Sequence, residues 1–433
     1  MPVRIRCMAE LKPLILLVSF AYPTRCPFLI ADIADLRNHE FSRILLIKLS
    51  AVGDVVHTFP FLNRLRRRYP AARIDWVLKP AIAELVCHHP AIDNVVLYPD
   101  QVSAYRWQSW WPALAAGRSL IAELRSARYE LVIDLHGQLR TAILAMATGA
   151  PRRVGFDRPR AEVWRASERN VPSLARKHAW QGAREGSWRA YTHRLSIPTL
   201  DMHAVDRYLR FGTMLGLAED GVDFSFAIPA SSVARADRLL RENFSSIDGL
   251  RLAIIAPGTV WETKHWSGDG FAQVARHLMR NNLIVVLIGS NGERAACQQV
   301  ASAAPGAVNL AGLTTLSEVA ALIGRAAICI TNDSGPMHLA VALNRPVVSI
   351  FGPTDPLWIG PYREPNSVLS AAPACAPCYL RRLSRCPHHH ACMRGVSAEA
   401  VIARIETILA NENGRTTASL EREHGPIGAG CLD

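Results

Sequence analysis

Residues 331–356 read TNDSGPMHLAVALNRPVVSIFGPTDP, and this stretch decides the fold. Ahead of it, Ala327 to Ile330 is a short apolar run of strand type. Asn332-Asp333-Ser334-Gly335 breaks that run, and Pro336 stands where a helix tolerates a proline, in the first turn whose N–H groups have no partner anyway. Met337 to Leu343 continues helically, and Val347 to Phe351 returns as a strand before Gly352-Pro353-Thr354-Asp355 turns the chain. Strand, polar loop, helix and strand make a βαβ unit. The loop after the first strand of such a unit gathers free backbone N–H groups and the positive end of the helix dipole, which suits a diphosphate. The same pattern also fits an ordinary crossover with a polar loop, so the chemistry has to come from its surroundings.

The chain has 433 residues, 49% hydrophobic and 20% charged, a globular composition long enough for two α/β domains and unlike a disordered or fibrous protein. A formal net charge of +12 points to an anionic partner. Only Lys12, Lys48, Lys79, Lys177 and Lys264 are lysines, however, and so strong an arginine bias also fits genomic base composition. The apolar run Leu14 to Tyr22 is too short to span a bilayer and is followed by Pro23, Arg25 and Pro27, so residues 1–40 read as a loosely attached leader. The body reads as soluble. Residues 412–433 are polar and glycine-containing, the composition of a disordered tail.

From Arg43 the run ILLIKLS reads as a buried strand ending at Ala51-Val52-Gly53-Asp54, with a helix from there through Tyr69. Gly53 permits a tight turn, and Asp54 stands at a helix start where the dipole favours a carboxylate for purely structural reasons too. Ile74 to Leu78, Val95 to Leu97 and Leu131 to Leu135 follow as strands between helical stretches, which is doubly wound α/β order. The loops at Gly53-Asp54 and His136-Gly137-Gln138 should then share one edge, at the carboxyl ends of the strands. Residues 157–200 interrupt the pattern with arginines, from Arg158 on, interleaved with Trp164, Trp180, Trp188 and Tyr191; this suits either ligand contact or a surface loop.

At Arg251 the architecture restarts, with strands ending at Gly258-Thr259 and Gly289-Ser290. Between them Lys264, in a short loop after a strand, is a natural point charge for phosphate. Three strand-end loops of this half thus offer Lys264, Glu293 and the helix start at Gly335. We expect domains at residues 41–230 and 231–411. Cys375, Cys378, Cys386 and Cys392 cluster with His388, His389 and His390, ligand types that suit a structural Zn²⁺, although the second CxxC of a standard ribbon is missing. Free thiols and disulfides remain alternatives there. Cys87, Cys297 and Cys329 lie in apolar surroundings and read as core.

RILLIKLSAVGDVVHTFP (43–60), together with PGTVWETKHW, IGSNGE and the opening stretch, resembles the ADP-heptose:lipopolysaccharide heptosyltransferases of glycosyltransferase family 9, over roughly residues 41–410. The resemblance implies a GT-B fold, two Rossmann-like doubly wound domains facing across a cleft. It implies inverting transfer of a heptose from ADP-heptose to a lipid A acceptor bearing Kdo or heptose, with no cofactor required. It further implies an enzyme of the cytoplasm, peripheral at the inner face of the inner membrane. Carried over by position, Asp54 falls on the general base; His57, a helical turn further on, is a rival read from its place in the chain alone, where a histidine also serves merely to line or cap the helix. Thr259 and Lys264 fall on donor phosphate contacts and Glu293 on the ribose contact. Asp333, Ser334, Gly335 and His338 fall on the loop and helix turn holding the diphosphate. Val260 stands where some members have a second threonine, which removes a hydroxyl contact. Gly53, His57, His136, Gln138 and Arg158 are candidates for the acceptor side.

Two other classes stay open at this stage. One is a transferase or epimerase using another sugar nucleotide on the same fold. The other is a zinc-bearing nucleic-acid binder, for which the paired α/β pattern and phosphate loops give no reason, so nucleic acid is not expected as a partner.

Overall fold

A computed structural model describes residues 33–99, 110–158, 182–199, 201–245, 249 and 251–423. The chain divides into two compact units, Met1–Val233 with Thr315–Ser317 and Leu357–Tyr362, and Ala234–Thr314 with Glu318–Pro356 and Arg363–Asp433.

The first unit is built on six parallel strands, β1 Arg43–Ile47, β2 Arg73–Leu78, β3 Asn94–Leu97, β4 Leu131–Asp134, β5 Arg152–Phe156 and β6 His193–Leu195. Their order is β3-β2-β1-β4-β5-β6. β1 reads as an unbroken apolar run because both faces of a parallel sheet are covered, and Ile44 to Ile47 are all fully buried. Leu45, Ile47, Val77, Val132 and Leu144 join one core cluster. The second unit repeats the plan with β7 Arg251–Ala256, β8 Leu283–Leu287, β9 Val308–Asn309, β10 Ala326–Asn332, β11 Val347–Phe351 and β12 Val368–Ser370, in the order β12-β11-β10-β7-β8-β9. In each unit the strand order reverses direction once, between β1 and β4 and between β7 and β10. A doubly wound sheet opens a crevice at that point, beyond its carboxyl ends.

Several local expectations are corrected. The helix expected from Asp54 through Tyr69 is two helices, α1 Val52–Val56 and α2 Phe59–Arg68, because Pro60 fits only the first turn of a new helix. Residues 33–40, expected within the loose leader, are anchored: Leu36 is fully buried and Asp35 accepts two bonds from Arg152 at 2.7 Å. The helix α3 Ala204–Leu215 follows β6. Beyond the loop at Asp333-Ser334 runs α4, Gly335–Ala342, and α5 runs Ala398–Glu423, past the start of the expected tail. Ala418, Leu420 and Glu421 are good helix formers and no proline interrupts them. Cys297 and Cys329 are buried, whereas Cys87 is exposed just after the helix Pro80–Val86, its Sγ donating to the Glu84 carbonyl at 3.3 Å. Most of the arginine- and tryptophan-rich stretch, residues 159–181, lies outside the described residues. No helix among the described residues is long and apolar enough to cross a membrane.

Candidate active site

In the second unit the reversal point joins the loop after β7 to the loop after β10. Asn332 ties them, its Nδ2 donating to the Pro257 carbonyl at 2.8 Å while its Oδ1 accepts the Trp266 N–H at 3.2 Å. A single turn, Glu262–Lys264, then aims Lys264 back at the next residue of β10's loop: its Nζ lies 2.6 Å from Asp333 Oδ2. The pair is largely withdrawn from water, with side chains 12% and 5% exposed. Thr354 Oγ1 donates to the same Asp333 oxygen at 2.6 Å. Asp333 is therefore the seat of the lysine.

Beside it, α4 begins without a side-chain cap. Ser334 has extended backbone as the cap residue, but its Oγ donates to the Asn332 carbonyl at 3.2 Å instead of accepting from the first turn. The first-turn N–H groups are thus left for an anion. His338 is buried one turn in. Thr259 contributes its carbonyl to His265 Nε2, which donates at 2.8 Å. Glu293 reaches the same place from β8's loop. Its Oε2 accepts the Ser290 N–H at 2.6 Å, and it lies so close over Gly258 that a Cβ there would stand 2.5 Å from Glu293 Cγ. The three loops read from the sequence converge.

In the first unit, the reversal point holds Asp54 on α1. Its Oδ2 is 3.5 Å from the Nζ of Lys48, the residue just after β1, and accepts the Ala51 N–H at 3.3 Å. Tyr208 on α3 donates to Oδ1 at 3.3 Å. The Asp54 side chain remains 40% exposed while that of Lys48 is 7% exposed. Burial draws Lys48 below the ordinary lysine range, opposed by the charges of Asp54 and Asp134. Burial, reinforced by the Asp54 charge, raises the Tyr208 phenol well above its usual value, so it stays a donor. The result is a carboxylate gripped by buried groups and open on one side.

Asp134 ends β4 fully buried and shapes the neighbouring loop. Its Oδ1 accepts the N–H groups of His136 and Gly137 at 2.9 and 3.1 Å, and its Oδ2 accepts the Tyr191 hydroxyl at 2.7 Å. Gly155 makes room for that tyrosine: a Cβ there would meet the Tyr191 ring at 2.4 Å. Burial, then the positive charges of Lys48 and Arg140, push His136 down to about 3, so it is a neutral imidazole and too weak a base for proton abstraction near pH 7. Gln138 caps the helix Leu139–Ala147. His57 is 3% exposed and packs its ring 5.0 Å from that of His203, and Gly53 lies buried within α1. Arg158 is exposed beyond β5. Lys48, Asp134, Tyr191 and Tyr208 were not read as site residues. The signal was there for two of them, a lysine and an aspartate each closing an apolar strand run.

Cys375, Cys378 and Cys386 are partly exposed, Cys392 is buried, and all four are free. Burial raises the Cys378 thiol and takes Cys392 to about 11, so both are held as thiols. Among the described residues no group of three or more His, Cys, Asp or Glu side chains is disposed to hold a metal. The expected zinc set is corrected accordingly.

The family model described as glycosyltransferase family 9 (heptosyltransferase) matches residues 117–180 and 173–388. The chain belongs to glycosyltransferase family 9. This family-9 chain is 30% identical over 341 residues to lipopolysaccharide heptosyltransferase 1 of Pseudomonas aeruginosa, covering 78% of itself and 86% of that relative. Its fold is similar to a family-9 glycosyltransferase from Veillonella parvula, with a TM-score of 0.67 at 22% identity, covering 86% and 97% of the two chains. It is also similar to an E. coli heptosyltransferase solved with ADP, with a TM-score of 0.61 at 24% identity, covering 84% and 99%. The fold is the GT-B arrangement of two α/β sheets, and the enzyme class is that of a glycosyltransferase.

Proposed function

We propose that this enzyme moves a heptose from ADP-heptose to the Kdo or heptose residues of a lipopolysaccharide inner core, with inversion at the anomeric carbon. The observation that carries the reading is the Lys264 ammonium clamped on Asp333 beside the uncapped start of α4, a site made for a diphosphate. In the reaction the acceptor hydroxyl attacks the anomeric carbon as the bond to the diphosphate oxygen breaks. Asp54 takes the hydroxyl proton, and its partial exposure leaves room for a sugar while Lys48 and Tyr208 fix its direction. Lys264 and the first turn of α4 meet the charge that develops on departing ADP, which gives the leaving group its electrostatic stabilisation without calling on a metal. Thr259, Ser334, Gly335 and His338 complete the diphosphate and sugar contacts, and Glu293 holds the ribose through the oxygen not bound to Ser290.

In this reading residues 41–230 serve the acceptor, with Gly53, His57, His136, Gln138 and Arg158 on its side, and residues 231–411 serve the donor. The acceptor's lipid places the enzyme at the cytoplasmic face of the inner membrane. The test offers ADP-heptose with Kdo-lipid A and, separately, with its heptosylated product, and scores each by mass. A gain of one heptose with release of ADP is expected in one of the two arms. No mass gain in either arm, with another sugar nucleotide consumed, would overturn the assignment of donor.

A further inference from the structure

The geometry points to Arg381, on the cysteine-rich loop, as a second cation of the diphosphate site beside Lys264. The inference rests on the reading of the Lys264 loop as the donor site. Trp261 is the common platform: Lys264 Nζ stands 4.5 Å from its ring centroid and the Arg381 guanidinium carbon 4.7 Å. Both cationic heads thus stand within 5 Å of the centre of one indole.

The charge count asks for such a residue. The Lys264 charge is already answered by Asp333 at 2.6 Å, so the pair presents a donor proton but little net charge. A nucleoside diphosphate gains a further negative charge as its bond to the sugar breaks, and the partial charge of a helix start is about half an elementary charge. Arg381 is exposed and has no carboxylate partner among the described residues. Among the described residues its guanidinium meets the face of Trp261, which orients the plane and leaves its edge of N–H donors open.

The backbone that carries it is fixed to the Lys264 turn from both sides. Just before Arg381, the Leu380 carbonyl accepts the Thr263 hydroxyl. Just after it, the Leu383 N–H donates to Glu262 Oε2 at 3.0 Å. Tyr379 adds a third tie, donating its own N–H to the Pro353 carbonyl at 2.7 Å and accepting the Asp355 N–H on its hydroxyl at 3.2 Å. Four hydrogen bonds thus hold an otherwise irregular loop, two of them to the residues flanking Lys264 and two to Pro353 and Asp355. A loop docked only for packing has no need to project an arginine over Trp261.

Calorimetric titration of Arg381→Gln, Arg381→Lys and Lys264→Ala with ADP and with adenosine tests this. Losing a charge-assisted contact should weaken ADP binding by Arg381→Gln about tenfold or more, with adenosine affinity unchanged. Arg381→Lys should recover part of the loss, since it keeps the charge but not the planar fork. ADP bound by Arg381→Gln as tightly as by the wild type overturns the assignment. So does an equal loss for ADP and adenosine, which would mark a merely structural loop. Unchanged ADP binding by Lys264→Ala would instead remove the diphosphate reading of the whole site, whereas weakened Lys264→Ala with unaffected Arg381→Gln removes only Arg381.

Discussion

Lys48 is one of five lysines in the chain, and inside the first unit its ammonium lies 3.5 Å from the Asp54 carboxylate. Around it stand Asp54, Asp134 and Arg184, and around Asp54 stand Lys48, Tyr208 and His136. Asp54→Ala should slow turnover roughly 100-fold or more while ADP affinity is kept, because a positioned base is worth about 10²- to 10⁴-fold. Near-normal turnover would remove Asp54 from the role. Lys48→Met removes a positive charge 3.5 Å from the carboxylate, and losing an opposite charge disfavours ionisation. The acid limb of its kcat/KM profile should therefore move to higher pH, and a profile coincident with the wild type would count against the arrangement. His89 supplies a stability counterpart. It is 1% exposed, and burial lowers it to about 4. Between about pH 6.5 and 4 the unfolded chain then binds more protons than the folded one, so stability is full above that window and is lost as pH falls through it. About 3 kcal/mol is at stake from a shift of this size. Urea midpoints at pH 7 and pH 4 should fall further for the wild type than for His89→Gln, and equal falls would refute the point. Asp54 and Lys264 stand out in the sequence because they sit in short motifs. Their partners do not, since Tyr208 is 154 residues from Asp54 and Tyr191 is 57 from Asp134, and nothing local couples such pairs.

Elements turn these residues into a site by ending where they do. β7, β8 and β10 each deliver one loop to the reversal point of the second sheet, and the glycines at their ends allow backbone and side chain to meet there. At Gly258 the demand is steric: an added Cβ would stand 2.6 Å from Glu293 Cβ and 2.5 Å from its Cγ, atoms too near the backbone to swing aside. Gly258→Ala should therefore displace Glu293, raising the donor KM about tenfold while destabilising the fold by roughly 1–3 kcal/mol, the usual cost of overpacking. Steady-state kinetics with a thermal melt separates the two effects, and an unchanged KM would show that Glu293 does not need its present seat. The three loops were legible as strand ends. The break between α1 and α2 was missed because apolar periodicity runs on through Pro60, and the proline was the better guide. The cysteine-rich loop was read through its ligand types, yet the contacts it makes are through Leu380, Arg381 and Leu383 to the Lys264 turn.

Across the whole molecule, the same six-strand parallel order occurs twice, and each unit has its own reversal point, where the proposed function sets its chemistry. Doubly wound alternation and the strand-end motifs made that plan legible, whereas the buried surroundings of Asp134 were less so, because they are joined through residues far apart in the chain. A functional division between the units has a direct physical consequence. A ligand that binds only the folded form stabilises it by RT ln(1 + [L]/Kd), about 2.7 kcal/mol at a hundredfold excess over Kd. ADP alone should place that stabilisation in the second unit, where its proposed diphosphate partners lie. Amide hydrogen exchange with saturating ADP should then slow at residues 258–265 and 333–338, and leave residues 51–54 and 136–140 of the first unit at their unliganded rates. Slowing confined to residues 51–54 and 136–140 would put the nucleotide on the wrong unit and undo the assignment of donor and acceptor roles together.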